Sequence, residues 1–326
     1  MRGWLERVWF AGGWGGFVLW PLSALFAVIV AVRRFGYRHG WFASLAPGCP
    51  VVVVGNLTVG GSGKTPFVAW LANALTDRGL RVGIVSRGYG GTATSPTRVS
   101  RDSDPRVVGD EPLLLARRTS ARVVVGRDRV LAARSLAGEV DLVLADDGLQ
   151  HYRLRRNLEI AIVDGRRRFG NGRLLPAGPM REPPSRLASV DFVVVNGADA
   201  APGEIAMHLL PSGVVGLVDG RRTPLADYAG REVHAVAGIG DPARFFATLR
   251  SAGVRPVEHP LPDHAPLEAS RLTFGDDLPV LMTEKDAVKC DGFRLPRAAY
   301  VEVSAQLEPA AGEALVARVL ELVSRR

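Results

Sequence analysis

Residues 8–32, VWFAGGWGGFVLWPLSALFAVIVAV, carry no charged side chain, and polar positions return at once as Arg33, Arg34 and Arg38. At about 1.5 Å per residue a helix of that length reaches across a ~30 Å hydrocarbon core, so the pattern predicts a membrane-anchoring helix. Trp4, Trp9, Trp14 and Trp20 put amphipathic rings near one end, where a membrane interface holds them. Gly12, Gly13, Gly15, Gly16 and Pro21 weaken the first half as a straight helix, leaving a shallow monotopic insertion as the alternative to a span. Arg2 and Arg7 before the segment oppose the three arginines after it, so charge counting alone does not orient it.

Beyond the anchor, β-branched runs alternate with helix-length runs. Strands are expected at 51–54, 82–86, 123–125 and 142–146, with helices at 66–76, 113–119 and 129–136. Such alternation implies a parallel sheet with helices on both faces. EIAIVD and DFVVVN (159–164 and 191–196) extend the sheet, and the Gly-, Pro- and Arg-rich stretch between them reads as a long functional loop. Near 200–203 the composition turns to small residues and proline. A new series then follows: GVVGLVDG, VHAVAGIG, the helix ARFFATLRSAG, PVLMTEKD and a last helix at 311–323. The expected organisation is an anchor at 1–35, an α/β core at 36–204 and a smaller C-terminal α/β domain at 205–326.

The turn after the first strand carries chemistry. VVVVGNLTVGGSGKTPF runs a strand into a loop rich in Gly60, Gly61 and Gly63, then into Lys64, Thr65 and a helix. Successive backbone N–H groups and a helix N-terminus make an anion cradle. In the P-loop pattern G-x-x-x-x-G-K-[ST], the lysine reaches the β- and γ-phosphates and the hydroxyl ligates Mg²⁺. Thr58 stands where the first glycine of the pattern belongs. DLVLADDGLQHYRL ends an apolar strand in Asp146 and Asp147, one of which should face Thr65 across the metal, and strand alternation leaves the choice between them open. Asp110, two residues before Pro112 at the mouth of a predicted helix, is either an N-cap or a general base. His264, in LPDHAPL, is either a packing residue or a partner that orients such a base.

Composition narrows the partners. The chain has 326 residues, 47% of them hydrophobic, which suffices for two modest cores. Cys49 and Cys290 lie far apart and show no metal-ligand spacing, so a disulfide framework and a zinc site are both unsupported. A net charge of +8, clustered at Arg153, Arg155, Arg156 and Arg166 to Arg168, favours anionic partners. No nucleic-acid recognition motif accompanies it, and a phosphorylated substrate or an anionic membrane surface accounts for it instead.

GNLTVGGSGKTP, SRGYGG, GDEP, DDGLQH, LLPAGPMRE, VAGIGDPARFF, PDH and TEKDAVK, in that order, resemble the tetraacyldisaccharide 4′-kinase family of lipid A biosynthesis over nearly the whole chain. The resemblance implies transfer of the ATP γ-phosphoryl, with Mg²⁺, to the 4′-hydroxyl of a membrane-embedded acylated disaccharide 1-phosphate at the cytoplasmic face of a Gram-negative inner membrane. It implies a P-loop NTPase-type fold with no obligate protein partner, and a phosphate loop of Thr58, Val59, Gly60, Gly61, Ser62, Gly63, Lys64 and Thr65. It also makes Asp110 the catalytic base and His264 its dyad partner, and gathers Asp146, Asp147, His151 and Glu182 near the metal and phosphates. A small hydroxyl residue at the Thr58 position matches that family, and Met180 stands where the family often has leucine.

Three other readings compete. A membrane-tethered GTPase switch needs [NT]-K-x-D to read guanine, whereas TEKD puts Lys285 one position too late. A transport or assembly ATPase needs a translocation path that one hydrophobic segment does not offer. A cleaved signal peptide would have a shorter apolar stretch, and export would carry the phosphate loop away from cytoplasmic ATP.

Overall fold

The structure is a computed structural model that describes residues 4–5, 7–11 and 15–324. Arg2, Gly12, Gly13 and Trp14 lie outside the described residues. The apolar segment does not form one helix over 8–32. A π-turn at Arg7–Ala11 and a single turn at Gly15–Val18 precede the long helix α1, Trp20–Arg38. Pro21 sits in its first turn, where the missing N–H is tolerated, and α1 continues through Arg33, Arg34 and Arg38. α1 alone among the described helices is long and apolar enough to cross a membrane by length and composition. It is also tied down. Ser23 Oγ donates to Leu174 O at 2.8 Å, Trp9 Nε1 to Pro176 O at 2.9 Å and Arg34 to Ser189 Oγ at 2.9 Å, so the loop after residue 165 clasps the N-terminal segment. Val18, Leu22, Leu25, Ile29 and Val32, spaced three and four apart, form an apolar stripe that is 54–67% exposed.

Then come β1 (Val51–Gly55), α2 (Lys64–Thr76), β2 (Val82–Ser86), β3 (Thr97–Val99), α3 (Asp110–Arg118), β4 (Arg122–Val125), α4 (Arg129–Arg134), β5 (Leu142–Asp146), β6 (Leu158–Asp164) and β7 (Phe192–Asn196). The C-terminal half contributes β8 (Ile205–Gly216), β9 (Arg222–Thr223), β10 (Glu232–Ala237), α5 (Pro242–Ser251), β11 (Arg255–Pro260), β12 (Val280–Thr283), α6 (Glu284–Ala287), β13 (Ala298–Leu307) and α7 (Pro309–Ser324). All belong to one mixed, mostly parallel sheet in the order β11-β10-β12-β13-β8-β7-β6-β1-β5-β2-β4-β3, with β9 paired to β8. β1 and β5 are buried at every position and β6 at all but one, as expected of parallel strands covered on both faces.

β8 and β13 join the halves. The start of β8 pairs with β7 in parallel, Val194↔Ile205 to Asn196↔Met207. The rest of β8 pairs antiparallel with β13, and β12 adds to the far end of β13 in parallel, Val280↔Ala298 to Thr283↔Val301. The parallel strands of the two halves therefore run toward each other along this ribbon, with their C-terminal ends facing. A register shift between Glu302 and Val303, opposite Pro211 to Gly213, bends the ribbon where the two sets meet. C-terminal strand ends are where α/β sheets build sites, and here two sets of them converge on one cleft.

Each half has a core on each face of its sheet. α2, α3 and α7 cover one face of the first half through Phe67, Leu71, Leu115 and Val316, while Val130, Ala133, Leu136 and Leu149 cover the other. Phe245, Phe246 and Leu249 of α5 do the same for the C-terminal half. Polar contacts bridge the halves. Arg118 of α3 bonds Glu284 Oε2 at 2.7 Å, Val303 O at 3.1 Å and Ser304 Oγ at 3.2 Å. Burial raises the Glu284 pKa, opposed by Arg118. Arg118→Ala would strand that carboxylate, and removing one member of a buried pair costs about 3 kcal/mol. Urea unfolding should register that loss, and adding Glu284→Gln should return part of it. An Arg118→Ala variant as stable as the parent would mean that the bridge holds nothing.

Candidate active site

The phosphate loop is shaped by backbone. α2 begins at Lys64, two residues earlier than the sequence pattern suggests, with Gly63 as N-cap at φ +90° and no side-chain capping bond. The first amides of α2 therefore have no capping side chain in competition with an anion. Asn196, at the end of β7, donates to Ser62 O at 3.0 Å, and a Cβ at Gly63 would lie 2.5 Å from the Asn196 amide nitrogen. Only glycine fits there, on both steric and φ grounds. Gly60 (φ +109°) and Gly61 face open space, and the buried Ser62 Oγ has no hydrogen-bond partner among the described residues. Thr58 pairs with Met180 in an isolated antiparallel bridge and Val59 N donates to Pro179 O at 2.9 Å, so the 166–187 loop supports the cradle from behind.

β1 and β5 are in register, Val54↔Asp146, so the strand leading to the cradle and the carboxylate pair end side by side. The two aspartates differ in surroundings. Asp146 is the last residue of β5, almost fully buried; Ser86 Oγ donates to its Oδ2 at 3.3 Å and its Oδ1 has no hydrogen-bond partner among the described residues. Burial, then Glu111 and Asp147, push its pKa up to about 7. Asp147 has turned out of the strand at φ +49°. Arg181 Nη1 donates to it at 2.9 Å and Lys64 Nζ lies 3.6 Å away. Burial opposes its charge, but Lys64 and Arg181 prevail and hold its pKa down at about 2. Strand alternation and the turn together thus give adjacent aspartates opposite surroundings.

Glu182 is buried and accepts from Gln150 Nε2 at 3.1 Å and from the Tyr152 hydroxyl. His151 Nε2 has no hydrogen-bond partner among the described residues, and burial followed by Arg129 and Arg156 lowers its pKa to about 4. Among the described residues no three His, Cys, Asp or Glu side chains are grouped to hold a metal ion alone.

Asp110 is the first residue of α3, and the N-cap is Gly109 at φ +89° with no side-chain capping bond. The capping alternative for Asp110 is therefore not what the structure shows. Its Oδ2 lies 3.2 Å from His264 Nδ1 and 3.6 Å from Lys289 Nζ. His264 sits at φ +61° between β11 and β12, its N–H donating to Gly238 O at 3.3 Å. Two residues separated by 154 positions thus meet across the facing strand ends. Glu111, Asp263 and Lys285 surround the pair, and Arg181 braces Asp147; the sequence reading assigned these four no role. Their signal was present in GDEP, PDH, TEKD and PMRE as charged neighbours of residues singled out for other reasons.

One cleft of about 1430 Å³ connects these parts. Gly60 to Thr65, Asp147, Gln150, His151, Glu182, His264 and Lys285 line it. His208, Leu209, Val301 and Val303 of the ribbon contribute, and Phe26, Ile29, Val30 and Arg33 of α1 line it as well. The C-terminal half comes close to the cradle: a Cβ on Gly240 would lie 3.1 Å from Gly61 N.

The burial of Asp146 has a pH signature. A folded value near 7 against ~4 unfolded means that the folded chain holds the extra proton between those limits, so this residue's effect on stability worsens as pH rises through that window. Without nucleotide or metal, Asp146→Asn should unfold at a higher temperature than the parent above pH 7. The gap should close as pH falls toward 4. A gap independent of pH would show that Asp146 is not a buried, destabilised carboxylate.

The family model described as tetraacyldisaccharide-1-P 4′-kinase (LpxK) matches residues 16–321. The tetraacyldisaccharide 4′-kinase of Alkalilimnicola ehrlichii is 52% identical over 98% of this chain and 97% of its own. That of Methylobacillus flagellatus is 47% identical over 99% and 97%. The crystal structure of LpxK from Aquifex aeolicus in complex with ATP superposes with a TM-score of 0.81 at 30% identity, covering 94% of this chain and 99% of that one. With a match of this extent, on a fold carrying the phosphate loop and the facing strand ends just described, the chain belongs to the tetraacyldisaccharide-1-P 4′-kinase family.

Proposed function

We propose that the protein transfers the γ-phosphoryl of ATP to the 4′-hydroxyl of a membrane-embedded tetraacyldisaccharide 1-phosphate, giving lipid IVA in lipid A biosynthesis, at the cytoplasmic face of a Gram-negative inner membrane. The observation that carries the reading is one cleft whose wall holds the phosphate cradle, His264, which bonds Asp110, and Phe26, Ile29 and Val30 of α1. A molecule with several acyl chains stays in the bilayer, so the hydroxyl to be phosphorylated is delivered from the membrane side while ATP arrives from water. The exposed stripe of α1 suits the first requirement and the backbone cradle the second.

Each residue has a defined task. Loop amides from Gly60 to Lys64 hold the phosphates, and Lys64 leaves Asp147 to meet the negative charge of the transferring group. Asp147 remains balanced by Arg181 when Lys64 swings away. Mg²⁺ fits beside Thr65 and Asp146, because the unpartnered buried Oδ1 of Asp146 is a carboxylate oxygen that a cation would satisfy. When bound, the ion would neutralise phosphate charge. Glu182 and His151 line the same wall. Asp110 accepts the proton of the attacking hydroxyl, and His264 orients it. We further propose that residues 36–204 and 205–326 act as two domains whose approach shuts the cleft and excludes water from the γ-phosphoryl.

Labelled ATP incubated with the protein and tetraacyldisaccharide 1-phosphate in mixed micelles should yield one labelled lipid, phosphorylated at the 4′ position. Lys64→Ala should reduce that product by about a hundred- to a thousandfold while the chain remains folded by circular dichroism. Labelled inorganic phosphate as the sole product would refute the kinase reading. The membrane component is checked separately. Leu22→Gln with Leu25→Gln should lower vesicle binding, and activity on bilayer lipid should fall further than activity on detergent-dispersed lipid. Equal losses in both formats would mean that α1 builds the site without delivering the lipid.

A further inference from the structure

Lys285 is the second residue of α6 and mostly buried. Its ammonium meets three acceptors: Glu111 Oε1 at 3.1 Å, His264 Nε2 at 3.1 Å and Asp263 Oδ1 at 3.3 Å. An ammonium has three donors and no acceptor, so all three of its protons are committed. Burial works against its charge, but Glu111 and Asp263 more than offset this and keep it above the ordinary lysine value. The contact to His264 is held by a shared scaffold. Asp286, next in the chain, accepts from Gly238 N at 2.7 Å, and Gly238 O in turn receives the His264 amide at 3.3 Å.

A ring nitrogen facing a group that can only donate must present its lone pair. We infer that Lys285 is a positioning residue for phosphoryl transfer: it caps His264 Nε2 and so fixes the neutral imidazole with its proton on Nδ1, donating to Asp110 Oδ2. The tautomer is set by the hydrogen bond at the other ring nitrogen, as elsewhere for histidine. The consequence falls on Asp110. Its Oδ2 is occupied by His264, with Lys289 Nζ at 3.6 Å, while Oδ1 accepts no hydrogen bond among the described residues. With one nitrogen capped and the other already protonated, the imidazole cannot take the acceptor hydroxyl's proton. Asp110 Oδ1 is then the atom left to receive it. This rests on the reading of Asp110 as the base. Lys285 itself reaches across from the C-terminal half to Glu111 on α3, so it assembles the pair and sets its protonation together.

The test is the protonation of His264 in the full-length chain in detergent micelles. With ¹⁵N-histidine labelling and His264→Gln for assignment, two-bond ¹H–¹⁵N correlations should show Nδ1 protonated and Nε2 bare. In Lys285→Met, Nε2 should gain a proton, facing Asp263 Oδ1 at 3.7 Å. kcat should fall roughly tenfold or more while the KM for ATP stays within about twofold. Lys285→Arg, which keeps a cationic donor, should retain the tautomer and recover most of the rate. A protonated Nε2 in the unmodified protein overturns the inference, and that measurement stands even if Lys285→Met fails to fold. So does a Lys285→Met variant with an unaltered ring, which would make Lys285 a structural salt bridge only. Full turnover in Asp110→Ala would instead remove the base assignment beneath it, an outcome readable apart from the ring signals.

Discussion

The antiparallel pairing of β8 with β13 is the constraint on which the rest depends. β7 attaches at one end of that ribbon and β12 at the other, so the two sets of parallel strands run toward each other. A parallel sheet of one direction would put every strand's C-terminal end on one edge. Here the loop after β1 and the loops after β10, β11 and β12 face one another, with the ribbon contributing to the cleft between them. Phosphate cradle and carboxylate–imidazole pair are then consequences of topology. Neither half holds both.

Charge is distributed along this cleft in a way that resists collapse and invites an anion. Lys64 is paired with Asp147 at 3.6 Å, a distance at which the pair is weak enough to be exchanged for a phosphate. Arg181 holds the same aspartate at 2.9 Å, so the exchange does not strand a carboxylate. Asp146 shows the opposite state, a buried carboxylate whose Oδ1 has no hydrogen-bond partner among the described residues and whose pKa is driven up by burial. A cation is the natural complement to such a group. Both aspartates thus lie at the cradle end of β5, one held charged by Lys64 and Arg181 and one desolvated.

Much of this was legible in the residues alone, and what was missed has physical reasons. The phosphate loop is a local solution: strand, glycines at positive φ, Lys64 and Thr65 must occur in sequence, so the pattern declares itself. Pairings between distant elements do not. RPVEHP reads poorly as a strand because its two prolines cannot donate, yet β11 is an edge strand where that is tolerated. AAYVEVSAQL mixes polar residues into β13 because Glu302 pairs with Arg222 and Ser304 accepts from Arg118, partners that the sequence alone does not show. The apolar run from residue 8 suggested one long helix, but the long helix starts only at Trp20, with Pro21 in its first turn. Asp110 and His264 could be named separately, and only the fold brings them to 3.2 Å. Lys285 stood out in the sequence solely as a misplaced guanine reader. Its contacts with Glu111, Asp263 and His264 appear only when two halves of the chain are folded together.

In the proposed mechanism one proton-accepting unit is assembled from Asp110 of one half and His264 of the other. A double-mutant cycle in kcat on micellar lipid substrate measures it directly. If the pair works as a unit, Asp110→Ala and His264→Ala should each remove most of the rate, and the double variant should be little worse than the more damaging single one. Losses that add in full in the double variant would show two independent residues, and would contradict the account.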